Sequence, residues 1–137
     1  MNKEQIKNYI PHREPMLLID EVRKTEESKA EGTYTVKGDE WFLQGHFPGN
    51  PVVPGVILCE IVAQASCMLM AEKIQGRTPY FTGMNKVRFK NKVLPGDTLK
   101  IECSLLKEKS PFYFIDGKGY VNGKLSVCGE FSFALID

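Results

Sequence analysis

The stretch from Pro54 to Ala71 constrains the fold more than any other part of the chain, because it is apolar on nearly every side. Closely spaced prolines precede it, and since each lacks a backbone donor, a helix can begin only near Pro54. Across the 18 residues that follow from this point, the strongly polar side chains are Glu60, Gln64 and Ser66. A helix of this kind has to be enclosed by the rest of the fold.

Strand-like stretches flank this helix on both sides. Before it, Met16 to Val22 is apolar and Ala30 to Val36 alternates with polar residues, so we predict two strands connected by the charged residues 23–29. After it, turns are indicated at 95–97 and, by an Asn-Gly pair, at 122–123. The strand-like stretches there are Tyr80 to Val93, Thr98 to Lys107, Phe112 to Val121 and Lys124 to Leu135.

The predicted order is a short amino-terminal helix, two strands, one long apolar helix and four more strands. This order favours an α+β domain with an antiparallel sheet. A strongly curved sheet wrapped around the helix covers it most economically, which is the hot-dog fold. A chain of 137 residues with 42% hydrophobic content fits one domain spanning residues 1–137.

The charge balance and the cysteines narrow the function classes. A net charge of +1 gives no general attraction to nucleic acid or to a membrane surface. The apolar helix carries a glutamate and a glutamine, so we interpret it as a core helix, and we expect a cytoplasmic protein. The cysteines have no metal-ligand spacing and are predicted to be free thiols: Cys59, Cys67, Cys103 and Cys128.

Residues 46 to 64, HFPGNPVVPGVILCEIVAQ, combine groups suited to proton transfer. His46 is a natural proton acceptor because imidazole titrates near neutral pH. Glu60 is costly to enclose unless it is paired, which makes it a candidate for catalysis. Gln64 lies one helical turn further on the same face and can orient Glu60. Gly55 falls in the first turn, where unpaired amides can stabilise a developing oxyanion, although a packing glycine remains the alternative.

The chain resembles the FabZ-type 3-hydroxyacyl-[acyl-carrier-protein] dehydratases of bacterial fatty acid synthesis. The resemblance implies removal of water from (3R)-3-hydroxyacyl carrier thioesters to give trans-2-enoyl products, with no metal and no organic cofactor. Four segments carry it: Pro11-His12-Arg13 with Met16-Leu17-Leu18-Ile19-Asp20, His46 to Gln64, Tyr80 to Phe89, and Val93-Leu94-Pro95-Gly96-Asp97.

The same resemblance assigns roles to individual residues. It implies that His46 of one subunit works with Glu60 of its neighbour, so that a homodimer is the smallest active unit. Many relatives assemble as a trimer of such dimers, and a hexamer is therefore expected. The resemblance places the carbonyl-binding amide on Gly55, and the amide of Val52 is expected to position His46.

Two aromatic residues match family positions that line the mouth of an acyl tunnel. These are Tyr80, expected to act as a movable gate, and Phe81. As aromatic residues in a strand, both are equally well explained as core residues. His12 and Arg13 belong to the family pattern, but the chemistry does not require them, so we interpret them as structural.

A run of cations follows at alternating positions: Lys86, Arg88, Lys90 and Lys92. In a regular strand this period places all four on one face. Acyl carrier proteins are acidic, so this face is a candidate docking surface for the carrier, with an ordinary solvated strand face as the alternative.

Three other functions remain open. A dehydratase that also isomerises the trans-2 double bond to cis-3 would use the same pair. A hot-dog acyl thioesterase would use a carboxylate and water, and a non-catalytic acyl-binding module would need neither group. The motif from His46 to Gln64 is evidence against the last two.

Overall fold

The computed structural model describes residues 1–137, with six strands and three α-helices. All strands pair antiparallel in one sheet, in the order β1-β2-β4-β5-β6-β3. Short 3₁₀ turns occupy Trp41–Leu43 and Cys67–Met70. The elements are α1 Lys3–Ile6, β1 Glu21–Glu26, β2 Lys29–Thr35, α2 Gly55–Ser66, α3 Ala71–Ile74, β3 Thr78–Phe89, β4 Thr98–Lys109, β5 Phe112–Val121 and β6 Lys124–Ile136.

The helix α2 begins directly after Pro54, as the prolines predict. Its last turn tightens where the Ser66 hydroxyl donates to the carbonyl of Val62 at 2.8 Å, a back-bond that competes with the helical ladder. The chain then continues through the 3₁₀ turn into α3. The helical segment therefore extends to Ile74, three residues beyond the predicted end.

The sheet wraps around α2, which packs against β2, β4, β5 and β6. Ile61, Val62 and Ala65 on this helix are fully buried. Gly117 on β5 lets the sheet approach α2 closely, since a side chain at this position would collide with Val62 of the helix. The antiparallel sheet curved around one long helix confirms the predicted α+β hot-dog fold.

The segment Gly55–Ile74 is apolar enough to span a membrane, with a mean hydropathy of 1.5. However, 72% of its most apolar window is buried inside the fold. It is the core helix that the sequence predicted.

The first strand lies elsewhere than predicted. The sequence suggested Met16 to Val22, whereas β1 is Glu21–Glu26 and only Val22 is buried in it. β1 is an edge strand, and most of its side chains are exposed to solvent, so charged residues are favourable there. Because of these charges, the sequence was interpreted as a connection between strands. The apolar residues Leu17 to Ile19 are buried against the core without joining the sheet.

Candidate active site

The loop that carries His46 is held by backbone hydrogen bonds. The amide of His46 donates to the Leu43 carbonyl at 3.2 Å, and the amide of Val52 donates to the His46 carbonyl at 2.9 Å. The His46 ring stacks on Phe47, with centroids 4.1 Å apart. Further along, the Val53 amide donates to the carbonyl of Val93 at 2.9 Å, which joins the loop to the segment after β3. The histidine is thus fixed before any substrate arrives.

One nitrogen of the His46 ring is already engaged. Nδ1 lies 2.9 Å from the carbonyl oxygen of Val52. Because a carbonyl can only accept, Nδ1 carries the proton and Nε2 is left as the unprotonated nitrogen. The sequence assigned Val52 a positioning role through its amide, and both backbone groups of Val52 contact His46.

His46 opens into a cavity of about 580 Å³. One wall is the start of α2, where the amides of Gly55 and Val56 have no backbone acceptor. The other wall is the chain that leaves β3, including Lys90 and Lys92. This space therefore offers a base, unpaired amide donors and positive charge together.

Gly55 has a neighbour that the sequence did not indicate. A methyl group added at Gly55 would lie 2.9 Å from the ring of Phe89, which is itself 53% exposed at the rim of the cavity. Contacts that short force a neighbour to move. A packing reason for glycine therefore exists beside the proposed chemical one. In the sequence, the one indication of a role for Phe89 was its position at the end of the motif segment Tyr80 to Phe89.

Glu60 lies in the middle of α2 and is half-buried, with 24% of its side chain exposed. Gln64 donates from Nε2 to Glu60 Oε2 at 2.8 Å. The same amide group donates to the Met16 carbonyl at 2.7 Å, and its oxygen accepts from the Leu18 amide at 2.8 Å. Gln64 thus uses three hydrogen bonds to fix Glu60 relative to residues 16–18.

His12 is the residue that sequence reasoning set aside and the structure brings to Glu60. Its Nε2 lies 3.6 Å from Glu60 Oε2. Burial lowers the pKa of His12 below its ordinary value of 6.5, although the nearby Glu60 carboxylate opposes that shift. Arg13 instead donates to the carbonyls of Lys7, Ile10 and His12, a structural arrangement.

His46 and Glu60 do not face the same space within one chain. Glu60 lines a cavity of about 30 Å³, and the residues around this cavity are all different from those around the His46 cavity. The residues of the smaller cavity are His12, Glu60, Ala63, Gln64, Cys67, Pro79, Phe81 and Phe133. One chain by itself therefore places His46 and Glu60 in two separate cavities.

Tyr80 and Phe81 are neighbours on β3 and differ in their surroundings. Phe81 borders the Glu60 cavity and contacts the rings of Phe131 and Phe133, with centroids 5.9 and 5.3 Å away. Tyr80 is 55% exposed on this edge strand. Neither residue is a fully buried core residue.

The four cations do not form the regular strand face that was predicted. A bulge interrupts the pairing of β3 between Asn85 and Arg88, Lys86 adopts a positive φ of 55°, and the strand ends at Phe89. Lys86 approaches Glu130 at 4.0 Å. The prediction assumed that side chains alternate regularly between the two faces of the strand. It fails here because a bulge shifts this alternation by one residue. Only Lys90 and Lys92 border the His46 cavity.

Solved structures with a similar fold show the fold class of this chain. The dehydratase heterocomplex ApeI:P from Xenorhabdus doucetiae superposes with a TM-score of 0.84 at 22% identity, covering 96% of this chain and 91% of that one. A hypothetical thioesterase with coenzyme A from Streptococcus pneumoniae superposes with a TM-score of 0.65 at 14% identity, covering 84% of each chain. At these identities the likeness establishes the hot-dog fold alone.

Sequence relatives identify the family. The FabA-like domain matches residues 10–129. The 3-hydroxyacyl-[acyl-carrier-protein] dehydratase FabZ of Clostridium perfringens is 44% identical, covering 98% of this chain and 99% of that protein. The protein of the same name from Staphylococcus epidermidis is 45% identical, covering 97% and 94%. The chain belongs to the FabZ-type dehydratases of the FabA-like family, which confirms the resemblance and the dehydratase class.

Proposed function

We propose that this enzyme dehydrates (3R)-3-hydroxyacyl thioesters carried on acyl carrier protein, with His46 as base and Glu60 as acid supplied by two copies of the chain. The observation that carries the proposal is the division into two half-sites, each held ready in a separate cavity. The names of the relatives supply the substrate class. A rival that also moves the double bond to cis-3 would differ in product, which gas chromatography resolves.

The base is His46. With its Nδ1 proton directed at the Val52 carbonyl, the lone pair of Nε2 is free to accept the proton at C2 of the substrate. The electrons of the broken C2–H bond form the double bond between C2 and C3. The bond between C3 and the hydroxyl oxygen breaks as this happens.

The acid is Glu60. Its proton joins the departing hydroxyl to make water, and Glu60 is left as a carboxylate. Gln64 supports this change because its amide already donates to Oε2 at 2.8 Å, where negative charge develops. Afterwards His46 releases its proton and Glu60 regains one from solvent, so the enzyme is restored.

The thioester oxygen becomes more negative as the C2 proton leaves. The unpaired amide of Gly55 at the start of α2 is the donor that we assign to it, since the positive end of a helix dipole adds to its effect. His46, Phe89 and this amide share one cavity, so the carbonyl and C2 can be held together.

The edge strand β3 supports the proposed homodimer. It ends one side of the sheet and carries exposed apolar side chains, including Tyr80, Met84 and Phe89. An apolar open edge is a ready surface for pairing with a second copy. Assembly beyond the dimer into a hexamer stays a prediction.

The partner that brings the substrate is acyl carrier protein. Lys90 and Lys92 support this, because they place positive charge at the mouth of the His46 cavity where an acidic carrier would deliver a phosphate-bearing arm. The four cysteines are free thiols, which suits the reducing cytoplasmic location that we propose.

Mixing two inactive variants tests the shared site. We expect His46→Ala and Glu60→Gln each to lower kcat by about 100-fold or more, with circular dichroism unchanged. After dissociation and reassociation of the mixture, random pairing gives mixed dimers with one intact site, so about a quarter of wild-type activity should return. The matched control mixes His46→Ala with the double variant, which can form no intact site. Recovery in the control, or none in the test mixture, would contradict the proposal.

A further inference from the structure

The carboxyl group of Glu60 is held through one of its two oxygens. Gln64 Nε2 donates to Oε2 at 2.8 Å, and His12 Nε2 lies 3.6 Å from the same atom. Oε1 has no hydrogen-bond partner within the chain. Two nitrogens therefore converge on one oxygen and leave the other available.

The environment of His12 determines which of its nitrogens carries the proton. Nδ1 is fully buried and has no hydrogen-bond partner. A buried N–H without an acceptor is rare, whereas a bare ring nitrogen leaves only an acceptor unsatisfied. The proton of the neutral ring consequently lies on Nε2, the nitrogen that faces Glu60.

We propose that His12 is a positioning residue for the acid, and that its Nε2–H acts with Gln64 on Oε2 of Glu60 so that Oε1 faces the substrate hydroxyl. This proposal rests on the proposed role of Glu60. When Glu60 gives its proton to the departing hydroxyl, the Nε2–H of His12 stabilises the new carboxylate. The distance of 3.6 Å exceeds a hydrogen bond, and such contacts in substrate-free sites tighten when the substrate binds.

The other ionisable groups around His12 fit this role. Cys67 lines the same cavity, and burial together with the nearby Glu60 raises the pKa of its thiol, so it stays neutral. Arg13 directs its guanidinium to three backbone carbonyls, away from Glu60, and its charge lowers the pKa of His12. His12 is thus a neutral donor, while His46 carries its proton on the other nitrogen, Nδ1.

The kinetics of three variants distinguish a positioning role of His12 from a purely structural role in its loop. His12→Leu removes the donor, and we expect kcat to fall roughly 10- to 100-fold with KM nearly unchanged. His12→Gln keeps an N–H near the position of Nε2, and kcat should stay within about threefold of wild type. Arg13→Gln disturbs the same loop without touching Glu60, so it should lower Tm but not kcat. Wild-type kcat in His12→Leu would overturn the proposal, as would equal losses in the Leu and Gln variants.

Nuclear magnetic resonance tests the contact without any activity measurement. The chain has two histidines, so ¹⁵N-histidine labelling of the whole protein gives two assignable rings, with His46→Gln identifying His12. We expect the Nε2–H tautomer for His12, and a shifted Nε2 resonance in Glu60→Gln because the carboxyl oxygen that this N–H faces is gone. An Nδ1–H tautomer or an unmoved Nε2 resonance would overturn the contact. Full activity in Glu60→Gln would instead overturn the proposed acid, whatever the spectra show.

Discussion

The two proposed half-sites, one around His46 and one around Glu60, are built in opposite ways. His46 sits in a cavity of about 580 Å³ and is fixed by backbone groups, whereas Glu60 borders about 30 Å³ and is fixed by side chains. Backbone anchoring tolerates substitution of neighbouring side chains, while the Glu60 arrangement depends on the identity of Gln64. In the proposed mechanism, the wide half-site receives the substrate and the narrow half-site presents one carboxyl group to it.

The largest effect among the supporting residues is expected at Gln64. Gln64→Leu removes three hydrogen bonds and leaves the Leu18 amide without its partner, so we expect a loss of about 1–3 kcal/mol in unfolding free energy. The acid also loses its support, and kcat should fall about tenfold or more. Urea unfolding and steady-state kinetics measure the two effects.

Ser66→Ala is the matched control for Gln64. It is a buried residue of the same helix, bonded to the Val62 carbonyl and remote from Glu60. It should change stability without changing kcat. If the two variants lower kcat equally, the narrow half-site is not organised by Gln64.

A smaller kinetic effect than at Gln64 is expected at Gly55 in the wide half-site. Gly55→Ala keeps the amide but pushes a methyl group against Phe89, so unfolding free energy should fall by about 1–3 kcal/mol and kcat/KM several-fold. Adding Phe89→Leu should restore both values, because the displaced ring is the cause. A double variant that regains stability but not activity would show that the glycine itself is needed for approach of the acyl group.

The cations at the wide half-site should affect binding more than chemistry. Reversing Lys90 and Lys92 to Glu is expected to raise KM for carrier-linked substrate by roughly tenfold at low salt, while a short thioester analogue is unaffected. Lys86→Glu is the control, since this lysine lies on the bulge near Glu130. Equal losses with both substrates would remove the docking hypothesis.

The smallest expected effect is the contribution of His12, in the narrow half-site, to the pH dependence of stability. Burial lowers the pKa of His12 in the folded state, so below about pH 6.5 the unfolded chain binds a proton that the folded chain resists. Stability should therefore fall as pH drops through this range. In His12→Gln, Tm measured from pH 7.5 to 5.5 should decline less steeply than in the wild type. Parallel curves would show that another group causes the decline.

The sequence correctly predicted the elements that depend on short-range patterns. The apolar stretch after Pro54 and the Asn-Gly turn specify a helix and a hairpin through short-range chemistry. The edge strand β1 was misplaced because its solvent-facing charges resemble a loop. The bulge at Lys86 was not predicted, because the residue with positive φ is a lysine and not the glycine or asparagine that usually indicates such a position.

The site was predictable only in part for a related reason. Gln64 and Glu60 are one helical turn apart, so their contact follows from spacing. The approach of His12 to Glu60 depends on how residues 10–18 pack against a helix that comes far later in the chain, and no periodicity reports that. Phe89 over Gly55 is a contact of the same long-range kind.

The tether made by Gln64 has a consequence for how this enzyme can change. It ties Glu60 to Leu18, which lies 46 positions before Gln64, and to Met16. Selection on the position of Glu60 therefore also acts on the amino-terminal residues 16–18. A protein engineer who wishes to retune the acid while leaving the core helix intact has a natural place to begin, the packing of that segment.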